Sequence, residues 1–189
     1  MRHKYETRGV VLSRSSVGEA NALITFLTQD LGLVRARAQS VRKSGAKLAA
    51  ALTTFTESNL ILVRGKDGWR ITGAVLEESW FRRIEASSSR ARAARVSSLL
   101  LRLVAGESYD PSLFLIMKGF FKALTVHSED IHEAIEALAA LRVLSALGLD
   151  AGVLPGEVSS FSSPLLATVM NDRTGYIARI NRGIAASGL

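Results

Sequence analysis

Residues 22–40 read ALITFLTQDLGLVRARAQS. Two short apolar runs, Ala22–Thr28 and Leu33–Ser40, flank the turn residues Asp30 and Gly32. The second run alternates strictly, with Val34, Ala36 and Ala38 on one side and Arg35, Arg37 and Gln39 on the other. Alternation with period two is the mark of a strand with one buried face. An unpaired buried guanidinium is very costly. The small apolar side therefore faces a core, and Arg35 and Arg37 face solvent or a ligand.

Working outward, Thr7–Arg14 (TRGVVLSR) forms a strand ahead of the polar loop SSVGEAN. On the far side, Asn59–Arg64 (NLILVR) and Trp69–Glu77 (WRITGAVLE) read as strands joined through Gly65-Lys66-Asp67-Gly68, a short hairpin connection. The Ala-rich Lys47–Leu52 (KLAAAL) suits a short helix after the third strand. Five strands with a helix after the third is the element order of an OB-fold, a small barrel that binds oligonucleotides on one face and in its loops. Alternation places Trp69 on one face with Ile71 and Val75, a core position.

The remainder of the chain changes period after Ser87-Ser88-Ser89. Ala91–Ala105, Ser112–Val126, the stretch from Asp130 to Gly148, Ser163–Met170 and Gly175–Ser187 carry apolar residues at helical spacing. Asp110-Pro111 reads as a helix cap followed by a first-position proline, and Asp130 with Glu133 as a capping box. Gly148 reads as a helix stop. The expected class is α+β, with an OB-fold domain over 1–84 and an α-helical domain over 85–189.

Charge divides along the same boundary. The net charge of +7 lies wholly in residues 1–84, which hold 14 Lys and Arg against 7 Asp and Glu; residues 85–189 hold 10 of each. Such asymmetry points to a polyanion partner for the first half, nucleic acid before acidic lipid. Arg42, Lys43 and Lys47 continue the basic track beyond the third strand, Arg14 stands at the lip of the first loop, Lys66 in the fourth loop, and Arg70 just after it. In an OB arrangement these cations converge on one groove able to follow a phosphate backbone. Aromatic residues make up only 6%, so stacking platforms are few, and the expected binding is phosphate-driven, sequence-tolerant and salt-sensitive. Neutralising about five phosphates gives a salt slope near −3.5 for single strands.

Several chemistries are excluded. The chain has no cysteine, hence no disulfide, thiolate-bound zinc, iron–sulfur centre or Cys nucleophile. It contains neither a GxxxxGK[ST] phosphate loop nor a GxSxG nucleophile elbow. His127 and His132 stand five apart, where helical metal ligands sit three or four apart, so no metal site is expected. The expected protein has no catalytic residue, no metal and no cofactor. The opening MRHKYETRG has no apolar signal core and no apolar run reaches membrane-spanning length, so a cytoplasmic protein with no membrane partner is expected.

The run TRGVVLSRSSVGEANALITFLTQDLGLVRARAQSVRKSGAKLAAALTTFTESNLILVRG resembles the start of the RecO family of bacterial recombination mediators. The pattern includes a first strand ending near Arg14, Gly18-Glu19 before the second, Thr28 and Gly32 before a basic third strand, Arg42-Lys43, Leu52, Phe55 and the Leu60–Gly65 strand. LRVLSALGL at 141–149 and the closing INRGIAASGL are similar to the family's helical part. The resemblance implies an OB-fold followed by helices, and binding and annealing of single-stranded DNA, with duplex also bound. Implied partners are RecR and the acidic C-terminal tail of the single-strand-binding protein, in helping to place the recombinase RecA on coated DNA, at the nucleoid during repair. Many members carry a four-cysteine zinc site after the block matching LRVLSALGL; residues 149–163 contain no Cys, so no zinc is carried over. The chain is also short for the family. Arg102, Lys118, Lys122 and Arg142 read as ordinary solvated helix charges. Two rivals stand beside the DNA reading: an RNA-binding OB module, and a protein adaptor that docks an acidic peptide.

Overall fold

The computed structural model describes residues 3–39, 41, 48–104, 106 and 110–188. The chain separates into two compact units, Met1–Arg82 with Gly106–Phe114, and Arg83–Ala105 with Leu115–Leu189.

The first unit is a closed barrel of five strands: β1 (Lys4–Val17), β2 (Asn21–Thr28), β3 (Gly32–Ala38), β4 (Thr56–Gly65) and β5 (Gly68–Ser79). The strand order around the barrel is β1-β2-β3-β5-β4, with β4 returning to β1. All pairs are antiparallel except β3 with β5, which run parallel through Ala36 with Trp69 and Arg37 with Arg70. This is OB-fold topology. The barrel closes because β1 is long enough to serve two partners. Its first half pairs with β4 and its second half with β2. The β3–β5 seam is short, with only these two residue pairs, Ala36 with Trp69 and Arg37 with Arg70, among the described residues. The interior is filled by Val11, Ile24, Phe26, Val34, Ala36, Ala38, Leu60, Leu62, Trp69 and Ile71.

Among the described residues the barrel has three register shifts, one of them leaving Glu77 extra near the end of β5, and the other two set which side chains reach that interior. In β1, Leu12 is the extra residue between the pairs Val11 with Phe26 and Ser13 with Thr25. In β5, Thr72 is the extra residue between Ile71 with Leu62 and Gly73 with Ile61. One extra residue inverts the inside–outside alternation for everything beyond it. Trp69 and Ile71 are buried in the core as alternation requires, whereas Val75, past the Thr72 bulge, is 64% exposed. The Leu12 bulge also frees a backbone acceptor, since the Val11 carbonyl takes the N–H of Phe55 at 2.8 Å. Phe55 holds a left-handed backbone (φ 62°) there and leads into β4.

Of the expected helix over Lys47–Leu52, the described part is a short 3₁₀ turn, Ala50–Leu52. Residues 42–47 lie outside the described residues. The hydroxyls of Thr56 and Ser58 both donate to the Ala51 carbonyl, at 3.0 and 2.8 Å, and tie this turn to β4.

After the single-turn α1 (Trp80–Arg83) come α2 (Ser87–Leu103), α3 (Pro111–Val126), α4 (His132–Ala146), α5 (Ser163–Asn171) and α6 (Arg173–Ala186). The start of α3 is capped as the sequence suggests. The Asp110 carboxylate accepts from the backbone N–H and the hydroxyl of Ser112 at 2.8 and 2.6 Å. Asp130 does not cap α4: it lies inside a 3₁₀ turn, Glu129–Ile131, ahead of that helix. α4 ends at Gly148 (φ 72°) in a Schellman motif, with the N–H of Leu149 bonded to the Leu144 carbonyl at 2.8 Å and that of Gly148 to the Ser145 carbonyl at 3.0 Å.

α4 is the core of the second unit. Leu138 to Leu144 are all buried, and the helix packs against α2, α5 and α6. His132 at its start is buried, with Nδ1 2.7 Å from the Ser89 hydroxyl and Nε2 2.9 Å from the His127 carbonyl. His127 Nε2 lies 2.8 Å from the Phe161 carbonyl. Both imidazoles are thus tied into helix and loop backbone. Among the described residues no group of His, Asp and Glu is arranged to hold a metal ion, and no helix is long and apolar enough to cross a membrane.

Arg142 is buried, not solvated. Its guanidinium donates to the carbonyls of Pro155 (3.0 Å), Val158 (3.1 Å) and Ser160 (2.5 Å) and lies 4.8 Å from the centre of the Phe161 ring. Burial pushes its pKa down to about 10. The side chain holds the loop between α4 and α5 in place of an apolar contact. Gly119 of α3 meets the same loop, because a Cβ there would clash with the Ser159 carbonyl oxygen.

Candidate nucleic-acid interface

The barrel's outward rows follow from its register. Leu23 of β2 pairs with Arg37 of β3, and Arg37 with Arg70 of β5. One step along β3, Thr25 pairs with Arg35. Residues directly opposite on neighbouring strands share a face. Arg35, Arg37 and Arg70 therefore stand side by side on the outer surface of β3 and β5, with Arg35 and Arg37 exposed and Arg70 half-buried. The reason lies in the sequence between them: Val34, Ala36 and Ala38 are fully buried in the barrel, which forces the intervening arginines out.

The β4–β5 hairpin adds to this row. Gly65 pairs with Gly68, so the loop is only Lys66 and Asp67, and Gly68 takes the positive φ (96°) that the tight return requires. Lys66 and Asp67 are exposed at its tip. Arg37, Gln39, Asp67 and Arg70, with Val17, Asn21 and Ala22, line a pocket of about 190 Å³.

Arg14 goes elsewhere. It pairs with Ile24, and Ile24 with Ala36, so it belongs to an inward row. The Leu12 bulge is the cause: without the extra residue, alternation from Val11 sends Arg14 outward. Its Nη1 donates to the Leu52 carbonyl at 3.4 Å. The structure thus brings together Arg35, Arg37, Lys66 and Arg70, and separates Arg14 from them. Arg42, Lys43 and Lys47 lie outside the described residues.

The partners of these cations are as informative as their positions. Among the described residues, Arg35, Arg37, Lys66 and Arg70 make no ion pair and no side-chain hydrogen bond. The arginines of the helical unit contrast with them. Arg92 and Arg95 grip Glu136 at 2.6 Å, Arg173 takes Glu133, and Arg179 holds Asp150 through Nε and Nη2 at 3.2 and 2.6 Å. Glu136 is held below the usual carboxylate range, although burial opposes this, because both arginines bond it. Asp150 is held low foremost by its bonds from Arg179.

Two features escaped sequence reasoning. The apolar Val17 forms part of the pocket wall, and Trp69 is flanked edge-on by Tyr5 at 5.0 Å and by the Arg64 guanidinium at 5.3 Å. The buried ring is thus a barrel-end contact and no stacking platform.

Residues 1–80 match the family described as Recombination protein O N terminal. Proteins named DNA repair protein RecO are similar over longer stretches. That of Dehalococcoides mccartyi strain 195 is 32% identical over 122 residues, covering 65% of this chain and 48% of the relative. That of Heliobacterium modesticaldum is 32% identical over 145 residues, covering 76% and 51%. That of Bifidobacterium longum is 29% identical over 147 residues, covering 77% and 60%. The chain spans about half the length of the curated relatives it matches. A five-stranded barrel with a basic third strand, followed by helices and with residues 1–80 matched by the family's N-terminal model, makes this chain a member of the RecO family.

Proposed function

We propose that the barrel binds single-stranded DNA, and duplex as well, and that the protein is a non-catalytic mediator of DNA repair and recombination. It anneals complementary strands and helps load the recombinase onto coated single strands. Arg35, Arg37, Lys66 and Arg70, with Arg42, Lys43 and Lys47 of the basic run that follows β3, neutralise backbone phosphates. The observation that carries this reading is the set of outward cations on β3, β5 and the β4–β5 hairpin that have no partner among the described residues, in a molecule that engages many of its other arginines internally. Annealing needs no bond-making step; it needs two polyanions held close with their charge screened. A RecR-like mediator protein is a further proposed partner.

One observation favours a second role for the helical unit. A pocket of about 330 Å³ has an apolar floor of Val96, Leu99, Ala140 and Ile184 and is edged by Arg95 and Arg102. Arg102 is exposed and has no partner among the described residues. This suits the acidic, apolar tail of a single-strand-binding protein.

The test is an annealing assay with two complementary labelled oligonucleotides, alongside direct titration of each single strand and of an RNA of the same sequence. Faster annealing and DNA binding at least equal to RNA support the reading. No binding to DNA, or binding to RNA alone, refutes it. Titration of an acidic peptide against wild type and Arg102→Ala tests the second role.

A further inference from the structure

The pocket beside the basic row is not built for phosphate alone. It holds a carboxylate, Asp67, among two guanidinium groups, Arg37 and Arg70, and an amide, Gln39. A site serving only phosphate gains nothing from a carboxylate, which repels the ligand. Nor is Asp67 there to neutralise the arginines, because none of the four side chains is bonded to another among the described residues. Their backbone is firmly set. Arg37 and Arg70 are paired across β3 and β5, and Asp67 sits on a two-residue turn. One wall is apolar, formed by Ala22 and by Val17, which is 40% exposed. At about 190 Å³ the pocket is smaller than the roughly 300–1,000 Å³ clefts of drug-sized ligands.

A flat ring with one apolar face and an edge bearing both donors and acceptors meets these terms. Nucleobases in single strands are recognised in this way, through unstacked rings and their exposed edges. Of the four DNA bases, guanine alone offers two adjacent donors, N1–H and N2–H₂, to a carboxylate, while O6 and N7 accept from a guanidinium. Each guanidinium has five donors, enough to serve a phosphate and a base acceptor together.

We infer that this pocket seats one unstacked guanine of a bound single strand, with Asp67 accepting from its Watson–Crick edge and Arg37 and Arg70 donating to its acceptor atoms. The inference rests on the nucleic-acid reading above, and adds a base preference to a surface otherwise read as sequence-tolerant.

The test uses the full chain and labelled oligothymidine carrying one central thymidine, guanine, adenine or cytosine. Wild type is expected to bind the guanine oligomer about fivefold or more tightly than the others. In Asp67→Asn, a residue the turn accepts equally well, the guanine-to-thymine affinity ratio falls to about one. Circular dichroism melting of the variant verifies its fold. Equal affinity for all four oligomers in wild type overturns the inference while leaving the nucleic-acid reading standing. A preference for another base, or a guanine preference that survives Asp67→Asn, overturns it too. Failure to bind any oligomer removes both readings.

Discussion

Replacing Arg142 by Met keeps an unbranched apolar stem and removes the charge and the donors. Arg142 is 2% exposed, and its guanidinium makes three charged hydrogen bonds to the carbonyls of Pro155, Val158 and Ser160. Such a bond contributes about 1.5–3 kcal/mol net. The three share one group and do not add, and burial already costs the charged form, whose pKa is pushed down to about 10. Met recovers part of this by packing on Phe161, and the Val158 carbonyl regains water, because Glu157 to Ser159 are exposed. The expected loss is about 2–4 kcal/mol, or about 5–15 °C in Tm for a chain of this size. Arg142→Lys should fall between, since a point charge lacks the planar fork. Two assays read the result. Far-ultraviolet circular dichroism follows helix melting, and limited proteolysis should cut Arg142→Met within residues 152–162 under conditions that spare wild type. A Tm within 2 °C of wild type, with an uncut loop, refutes the assignment of Arg142 as the element that holds it.

Other substitutions test the two bulges and the acid limb. Arg14→Ala should leave single-strand affinity within about twofold and cost about 0.5–1 kcal/mol for one long hydrogen bond, read by titration and thermal melting; a loss as large as that of Arg37→Ala would place Arg14 on the binding face. Val75→Lys should change stability by less than about 0.5 kcal/mol, whereas Ile71→Lys, four residues earlier and on the same face by simple alternation, should cost more than about 3 kcal/mol or prevent folding. Equal effects in urea melts would contradict the Thr72 bulge. Asp150, whose folded pKa lies below its unfolded value of about 3.9, stabilises the fold above that unfolded value and loses this contribution as pH falls through its folded pKa. Asp150→Asn should therefore lower Tm at pH 7 and flatten its decline below pH 4, with the remaining slope carried in part by Glu136; a variant that keeps the wild-type acid profile would sink the Arg179 assignment.

Much of the barrel was legible because β3 states its faces residue by residue: small apolar side chains inward, Arg35 and Arg37 outward. Turn chemistry at Asp30, Gly32, Gly65 and Gly68 marked the strand ends, and Asp110-Pro111 and Gly148 marked helix ends. The bulges were not legible. Leu12 and Thr72 look like ordinary strand residues, and nothing local to VVLSR or RITGAV reveals an extra residue until a partner strand fixes the register. The cost of missing them is specific: Arg14, read at the lip of the first loop with the other cations, lies in an inward row, and Val75, read inward, is exposed. Arg142 did leave a signal. It stands in Ala137–Leu144, a stretch of helix otherwise apolar on every face, where a cation has no solvent side and needs acceptors. Those acceptors are backbone carbonyls of a distant loop, which no residue-type pattern can announce. Asp67 was masked by its setting, since an acidic residue in a Gly-Lys-Asp-Gly turn is ordinary until the fold brings it beside two arginines.

The account stands on β3 and β5 meeting a phosphate backbone. Its most direct test is the affinity for labelled oligothymidine measured across a series of salt concentrations, for wild type and for Arg35→Ala/Arg37→Ala. The predicted slope of log affinity against log salt is about −3.5 for wild type and about −2 for the double variant, each arginine accounting for roughly 0.7. Identical slopes for the two proteins, or a flat response in wild type, would contradict it.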